Sequence, residues 1–298
     1  MLLGRRNPCP TGCHEGLQLP KSQKPIVIER IYSVLLDPTT GQLSRTVVTS
    51  QDVINAISWA NTNHGTKLSS KNPANFIKDV IRGSGASGMW PPSLKSACVS
   101  AKQITGNGNI FEFIPYAAGQ VEPFPNRFGF HANVQRHKVQ TVSVPLATKA
   151  LGRDDETYLI QVAVKLGIVE THFALYSPLE VIELYHLQIG IKLRLCEVDA
   201  LYAAKYRDNQ GVVRDMIITV EAKKKRQRIL VEQIVQQVRA AFNETATDLV
   251  VPIALTSVTG GVYIAEFEAV HRAQLANFVD IKLETDAMYE LTPPVAGI

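Results

Sequence analysis

Apolar residues recur at helical spacing in the front half of the chain. Val53, Ile54, Ile57 and Ala60 share one face of a helix predicted over 51–63, with Ser50 as its N-cap. Phe76, Ile77, Val80 and Ile81 do the same up to Arg82, behind Asn72-Pro73, a capping residue followed by a proline at the first helical position. Leu94, Ala97, Cys98 and Ala101 predict a third helix over 94–103, capped by Ser93, with Lys95, Ser96, Ser100, Lys102 and Gln103 on its outer face. Residues 26–36 are apolar and β-branched, a strand or a short helix, and 45–49 read as a short strand. Gly106-Asn107-Gly108-Asn109 reads as a hairpin turn leading into another strand.

The back half changes rhythm. Residues 145–151 and 154–167 read as helices separated by Gly152, the second capped by Asp154 or Asp155 and burying Leu159, Ile160, Val162, Ala163 and Leu166. Residues 169–187 read as mostly helical, with Pro178 breaking the run. From 189 the pattern alternates, giving a strand over 189–196 that continues through 197–202. Asp208-Asn209-Gln210-Gly211 is a turn, and 212–220 is a second strand ending at Glu221-Ala222-Lys223. An amphipathic helix over about 227–242 follows, then strands over 249–255 and 262–268.

The 298 residues suggest about two domains and are enough to bury a core without staples. The reading is an irregular arm over 1–25, a mainly helical domain over 26–120, a linker over 121–143 and an α/β domain over 144–298. Four cysteines do not make a disulfide scaffold. Cys9 and Cys13, followed by His14, have a zinc-like spacing without a nearby second pair, so a flexible arm is the simpler reading. No apolar run has signal-peptide or membrane-span character, which makes a soluble cytoplasmic protein the expectation.

Charge adds an asymmetry. Residues 1–150 carry 16 Lys+Arg against 7 Asp+Glu, and residues 151–298 carry 15 against 20. A basic front half suits a polyanion such as DNA, and an acidic back half can hold carboxylates for a metal. The short helices followed by a hairpin, about 50–116, resemble a winged helix-turn-helix. In that family the last helix enters the major groove and the hairpin touches the DNA backbone. The same pattern also fits a small α+β packing domain.

Asp199 on one predicted strand, 21 intervening residues, and Glu221-Ala222-Lys223 closing the next strand, with an amphipathic helix directly after, resemble the PD-(D/E)xK nuclease superfamily over about 165–270. The resemblance implies a mixed sheet flanked by helices, a restriction-endonuclease-like core. Val198 stands where many members have proline. Strand alternation puts Glu221 and Lys223 on one face and Ala222 on the other. Phosphodiester hydrolysis needs an activated water and neutralisation of charge at phosphorus. Mg²⁺ takes one or two carboxylates with waters and phosphate. Asp199, Glu221 and the Ala222 carbonyl are the ligands this implies, and Lys223 orients water or stabilises charge at phosphorus. Glu197, two residues before Asp199, is either a further ligand or a polar rim residue. Glu170 and Gln233 correspond to helix residues that some members place near the metal. Lys223-Lys224-Lys225-Arg226-Gln227-Arg228 holds five cations in six residues. Lys224, Lys225, Arg226 and Arg228 are candidate phosphate contacts, and Lys95, Lys102 and Gln103 candidate contacts of the front domain.

Together these imply a sequence-specific, Mg²⁺-dependent double-stranded DNA endonuclease of the type II restriction kind, acting as a homodimer. No Walker A motif is present, so no ATP-driven step is expected. The alternatives are a repair or mobile-element endonuclease of the same fold, a non-catalytic DNA-binding protein, and an unrelated soluble enzyme.

Overall fold

A computed structural model describes residues 22–82, 86–104, 106–193, 196–225 and 227–298. Cys9, Cys13 and Arg226 lie outside the described residues. The chain divides after Pro125 into two compact units.

In the first unit, helix α1 (Lys24–Leu35) precedes strand β1 (Val47–Thr49), helices α2 (Ser50–His64) and α3 (Pro73–Arg82), two short helices α4 (Ala86–Met89) and α5 (Pro92–Ser96), and strands β2 (Val99–Gln103) and β3 (Asn109–Pro115). The strands form a sheet of order β1-β3-β2. Thr49, not Ser50, caps α2: its side chain accepts from the Asp52 N–H while Asp52 reaches back to the Thr49 N–H, a capping box. Phe76, Ile77, Val80 and Ile81 are buried, as their spacing predicts. The buried Trp90 donates from its indole N–H to the Val99 carbonyl at 2.8 Å and meets Phe113 and Phe124 ring to ring.

The helix expected over 94–103 is instead the five-residue α5 and strand β2. The helix ends at Ser96, Cys98 takes the left-handed conformation at φ 54°, and Val99 to Gln103 pair with β3. Small and weakly apolar residues fit both periods, and the β3 partner decided between them. Lys95 therefore sits on α5, while Lys102 and Gln103 sit on a strand, with Lys102 Nζ 2.9 Å from Glu112.

The second unit carries strand β4 (Gln135–Gln140), helices α6 (Leu146–Ala150), α7 (Glu156–Lys165) and α8 (Ile168–Leu175), strands β5 (Glu180–Leu193), β6 (Cys196–Arg207) and β7 (Val213–Lys223), helix α9 (Val231–Glu244), and strands β8 (Leu249–Val258), β9 (Gly261–Phe267), β10 (Val270–His271) and β11 (Leu283–Thr292). They build a mixed sheet of order β4-β11-β9-β8-β7-β6-β5, with β10 added against β8. The linker read over 121–143 does not stand as one: 126–143 belongs to the second unit, and β4 pairs in parallel with β11. The helical reading of 169–187 fails after Leu175, because 180–193 is a long edge strand antiparallel to β6. The single strand expected over 189–202 is thus two strands.

Helices cover both faces of this sheet. Even-numbered residues of β6 and β7, among them Ala200, Tyr202, Ile218, Val220 and Ala222, pack with Leu159, Ile160 and Val162 of α7 and with Ile168, Val169 and Phe173 of α8. On the opposite face α9 places Ile234 and Val235 against Ala254, Tyr263 and Ala265. Because β7 and β8 are parallel, the chain must cross over between them, and α9 is that crossover. Pro252 is tolerated in a central strand because the β8 edge is paired with β10 up to Val250 and with β9 only from Ile253. Among the described residues no single helix is long and apolar enough to cross a membrane. The apolar pair α7 and α8, bent by 62°, lies on the sheet.

Candidate active site

The β6–β7 hairpin sets the site. Its turn is fixed by Asp208, whose carboxylate accepts from the N–H groups of Gln210 and Val212, each at 2.9 Å, with Gly211 at φ +80°. From there the ladder runs from Arg207↔Val213 to Ala200↔Val220 and stops. At the next step the Asp199 carboxylate takes the place of the backbone: its Oδ2 accepts from the Ala222 N–H at 2.8 Å. In an extended strand the N–H and C=O of one residue point to the same edge, so the Ala222 carbonyl also faces the gap beyond the ladder.

Glu221 and Lys223 project to the α9 face of β7, as does Asp199 from β6. Glu221 is 3% exposed and Lys223 6%. The Lys223 ammonium donates to Glu221 Oε1, and Gln237 Nε2 on α9 donates to Glu221 Oε2. Gln237 is 1% exposed, and its own Oε1 is buried without a partner. Burial first, and then the Glu221 charge, push the Asp199 carboxyl up to about 7, against the pull of the Ala222 N–H and Lys223. Burial and the charges of Glu221, Asp199 and Glu197 push the Cys196 thiol up to about 11. The negative charge at this end of β6 and β7 is therefore concentrated and poorly hydrated.

The donor set suits a hard cation. Mg²⁺ characteristically takes one or two carboxylates from a protein, which Asp199 and Glu221 would supply here, with the Ala222 carbonyl as a neutral oxygen beside them. A buried acceptor with no donor, such as Gln237 Oε1, is an atom that a cation or a bound water satisfies. Among the described residues no three His, Cys, Asp or Glu side chains form a metal cage by themselves. A Mg²⁺ ion that keeps several waters does not require one.

The structure thus brings Asp199, Glu221, Ala222 and Lys223 together. Glu197 is exposed at the rim, and its carbonyl, not its carboxylate, faces Gln237 at 3.4 Å. Glu170 is not part of the group. It lies on α8, on the other face of the sheet, where its charge acts on Tyr202 and burial raises its own carboxyl. The helix acid whose charge reaches Asp199 is Glu156, in the first turn of α7 and 4.0 Å from Lys224 Nζ. Gln233 makes no bond to the acids, and its Oε1 is buried without a partner. Helix α9 starts at Val231 rather than at 227, so the glutamine that reaches Glu221 comes one turn later, at Gln237. The spacing of Gln233 and Gln237, four residues apart on one helix face, is the signal that could have found it.

Lys223 ends β7, and the described residues of the basic run after it lie ahead of α9, not in its first turn, which holds Glu232. Their cations therefore carry no helix-dipole penalty. Lys224 is half-buried beside Glu156. Lys225 is exposed, with its backbone N–H on Ser257 Oγ at 2.8 Å. Arg228 is only 8% exposed, which removes it from the surface contacts.

No protein-family model, curated protein or solved structure matches this chain.

Proposed function

We propose that the chain is a Mg²⁺-dependent endonuclease acting on double-stranded DNA. Its second unit would be a restriction-endonuclease-like core of the PD-(D/E)xK kind and its first unit a winged-helix-like DNA-binding domain. The observation that carries this reading is the convergence of Asp199, Glu221 and Lys223 on one sheet face, where β6 and β7 part and Asp199 takes the Ala222 N–H. The order helix, two antiparallel strands, parallel crossover helix and strand around that point supports it.

Asp199, Glu221 and the Ala222 carbonyl would hold the ion. When bound, Mg²⁺ supplies charge neutralisation at the phosphate and a more acidic water. Lys223 is a fixed cation on the same face; moved from Glu221 to a non-bridging phosphate oxygen, it offsets charge developing at phosphorus. Gln237 orients Glu221, and Lys224 and Lys225 offer charge to the flanking phosphates. In the first unit, Lys67 and Lys71 between α2 and α3 are exposed, Lys78 on α3 is half-buried, and the three make no ion pair among the described residues. They are the contacts proposed in place of Lys95, Lys102 and Gln103. Two strands are cut by two sites, which makes the acting species a homodimer.

The test is incubation of the purified chain with long unmethylated plasmid and phage DNA and Mg²⁺, with EDTA and Glu221→Ala controls. Discrete fragments absent from both controls are expected. DNA that stays intact while the protein binds it with salt-dependent affinity would reduce the chain to a DNA-binding protein.

A further inference from the structure

Next to the catalytic strand lies a cavity of about 340 Å³. Its position is set by register: Lys223 of β7 is opposite Thr256 of β8, and Thr256, Ser257 and Val258 form one wall. Lys225, Gln227 and Ile229, between β7 and α9, form a second wall, and the segment leading into β4 a third. The volume falls within the ~300–1,000 Å³ of pockets that hold small organic ligands.

The lining is divided by chemistry. Phe130, Ile229, Val258 and Met288 make an apolar side. The Phe130 ring is 39% exposed, is held edge-on by Tyr263 with centroids 5.8 Å apart, and carries the Arg136 guanidinium 5.7 Å from its centroid. Arg136 is itself neutralised by Glu290 at 2.7 Å, so among the described residues of the lining the cation without an ion pair is Lys225. Gln227 accepts the Lys224 N–H at 3.0 Å with its carboxamide oxygen, which leaves its NH₂ as a donor. The cavity therefore combines a part-exposed aromatic ring, an amide donor and the exposed Lys225, beside the proposed scissile position.

We propose that this cavity receives one unstacked nucleotide, its base against Phe130 and its phosphate on Lys225. The assignment to a nucleotide of the DNA strand rests on the nuclease reading. An aromatic face binds any base by stacking, while an amide at the edge selects among bases by hydrogen bonding. A base leaving the helix beside the cleavage point would leave its phosphate on the same side as Lys223 and Lys225.

The test is saturation-transfer NMR on the full chain in EDTA, with the four deoxynucleoside 5′-monophosphates, inorganic phosphate and a single-stranded tetranucleotide as probes. Saturation of base protons is expected with at least one monophosphate. Phe130→Ala should weaken that binding about tenfold or more, Phe130→Tyr should retain it, and Lys225→Ala should weaken it. The tetranucleotide should displace the mononucleotide; failure to do so would overturn the assignment to a DNA strand. Full displacement by inorganic phosphate with no effect of Phe130→Ala would overturn the base seat, and so would no saturation from any probe. No cleavage is read, so the pocket and the nuclease reading fail separately.

Discussion

Gln237→Leu separates a positioning role at the site from a structural one. The substitution keeps the approximate volume of a side chain that is 1% exposed, so no large cavity opens. It removes one donor from Glu221 Oε2 and also the buried, unpartnered Gln237 Oε1. A hydrogen bond to a charged group is worth about 1.5–3 kcal/mol. Losing it frees Glu221 to swing, and the cleavage rate should fall by about ten- to 150-fold, since 1.4 kcal/mol is a factor of ten. Removing the orphaned oxygen returns about 1–3 kcal/mol of desolvation, so the stability terms nearly cancel. The net change should stay within about 1 kcal/mol, roughly 2–4 °C for a unit of this size. Single-turnover cleavage over a Mg²⁺ titration and melting by circular dichroism measure both. A variant within twofold of the parent rate would refute the positioning role. A slow variant whose melting point has also dropped by 10 °C would make the loss one of folding.

Lys223→Ala should slow cleavage by about 10²–10³-fold while DNA affinity in EDTA stays within about twofold, read by filter binding; equal losses in both would make Lys223 a binding residue. His172, Glu266, Ser177 and Tyr289 form a buried network, with His172 Nε2 3.1 Å from Glu266 and Ser177 Oγ donating to Glu266 at 2.7 Å. Glu266→Ala should therefore cost about 3–5 kcal/mol in denaturant unfolding, and a cost under 1 kcal/mol would show that the network does not hold α8 on the sheet. Burial holds the Glu170 carboxyl above its usual 4.5, so the folded chain keeps a proton the unfolded chain releases. Stability then falls as pH rises from about 4.5 through the folded value. The melting-point advantage of Glu170→Gln should grow above pH 4.5 with cleavage intact, and a pH-independent difference would contradict the cause. Alanine at Lys67, Lys71 or Lys78 should each reduce the salt dependence of DNA affinity by about one unit of slope, and an unchanged slope in all three would move the contact surface elsewhere.

Short-range signals were legible without the fold. The Asn72-Pro73 start of α3, the four apolar residues that it buries, the Asp208–Gly211 turn and the amphipathic face of α9 depend on neighbours within a few residues, where propensity, capping and period act. The shared face of Glu221 and Lys223 follows from strand alternation alone. Everything that needed a distant partner was decided by the tertiary structure. Residues 99–103 and 180–193 became strands because β3 and β6 offer edges, and 135–140 became a strand through β11, about 150 residues away. The choice of Glu156 over Glu170 turns on where each sits along the one sheet face that α7 and α8 share, Glu156 acting on Asp199 and Glu170 on Tyr202, and that of Gln237 over Gln233 on where α9 begins. The pairing of Asp199 with the Ala222 N–H needed the ladder to end at Ala200↔Val220. Composition and spacing supply the residue types of this site; only the register of non-local strands decides which of them meet, because hydrogen-bonded pairing across the sheet is indifferent to separation along the chain.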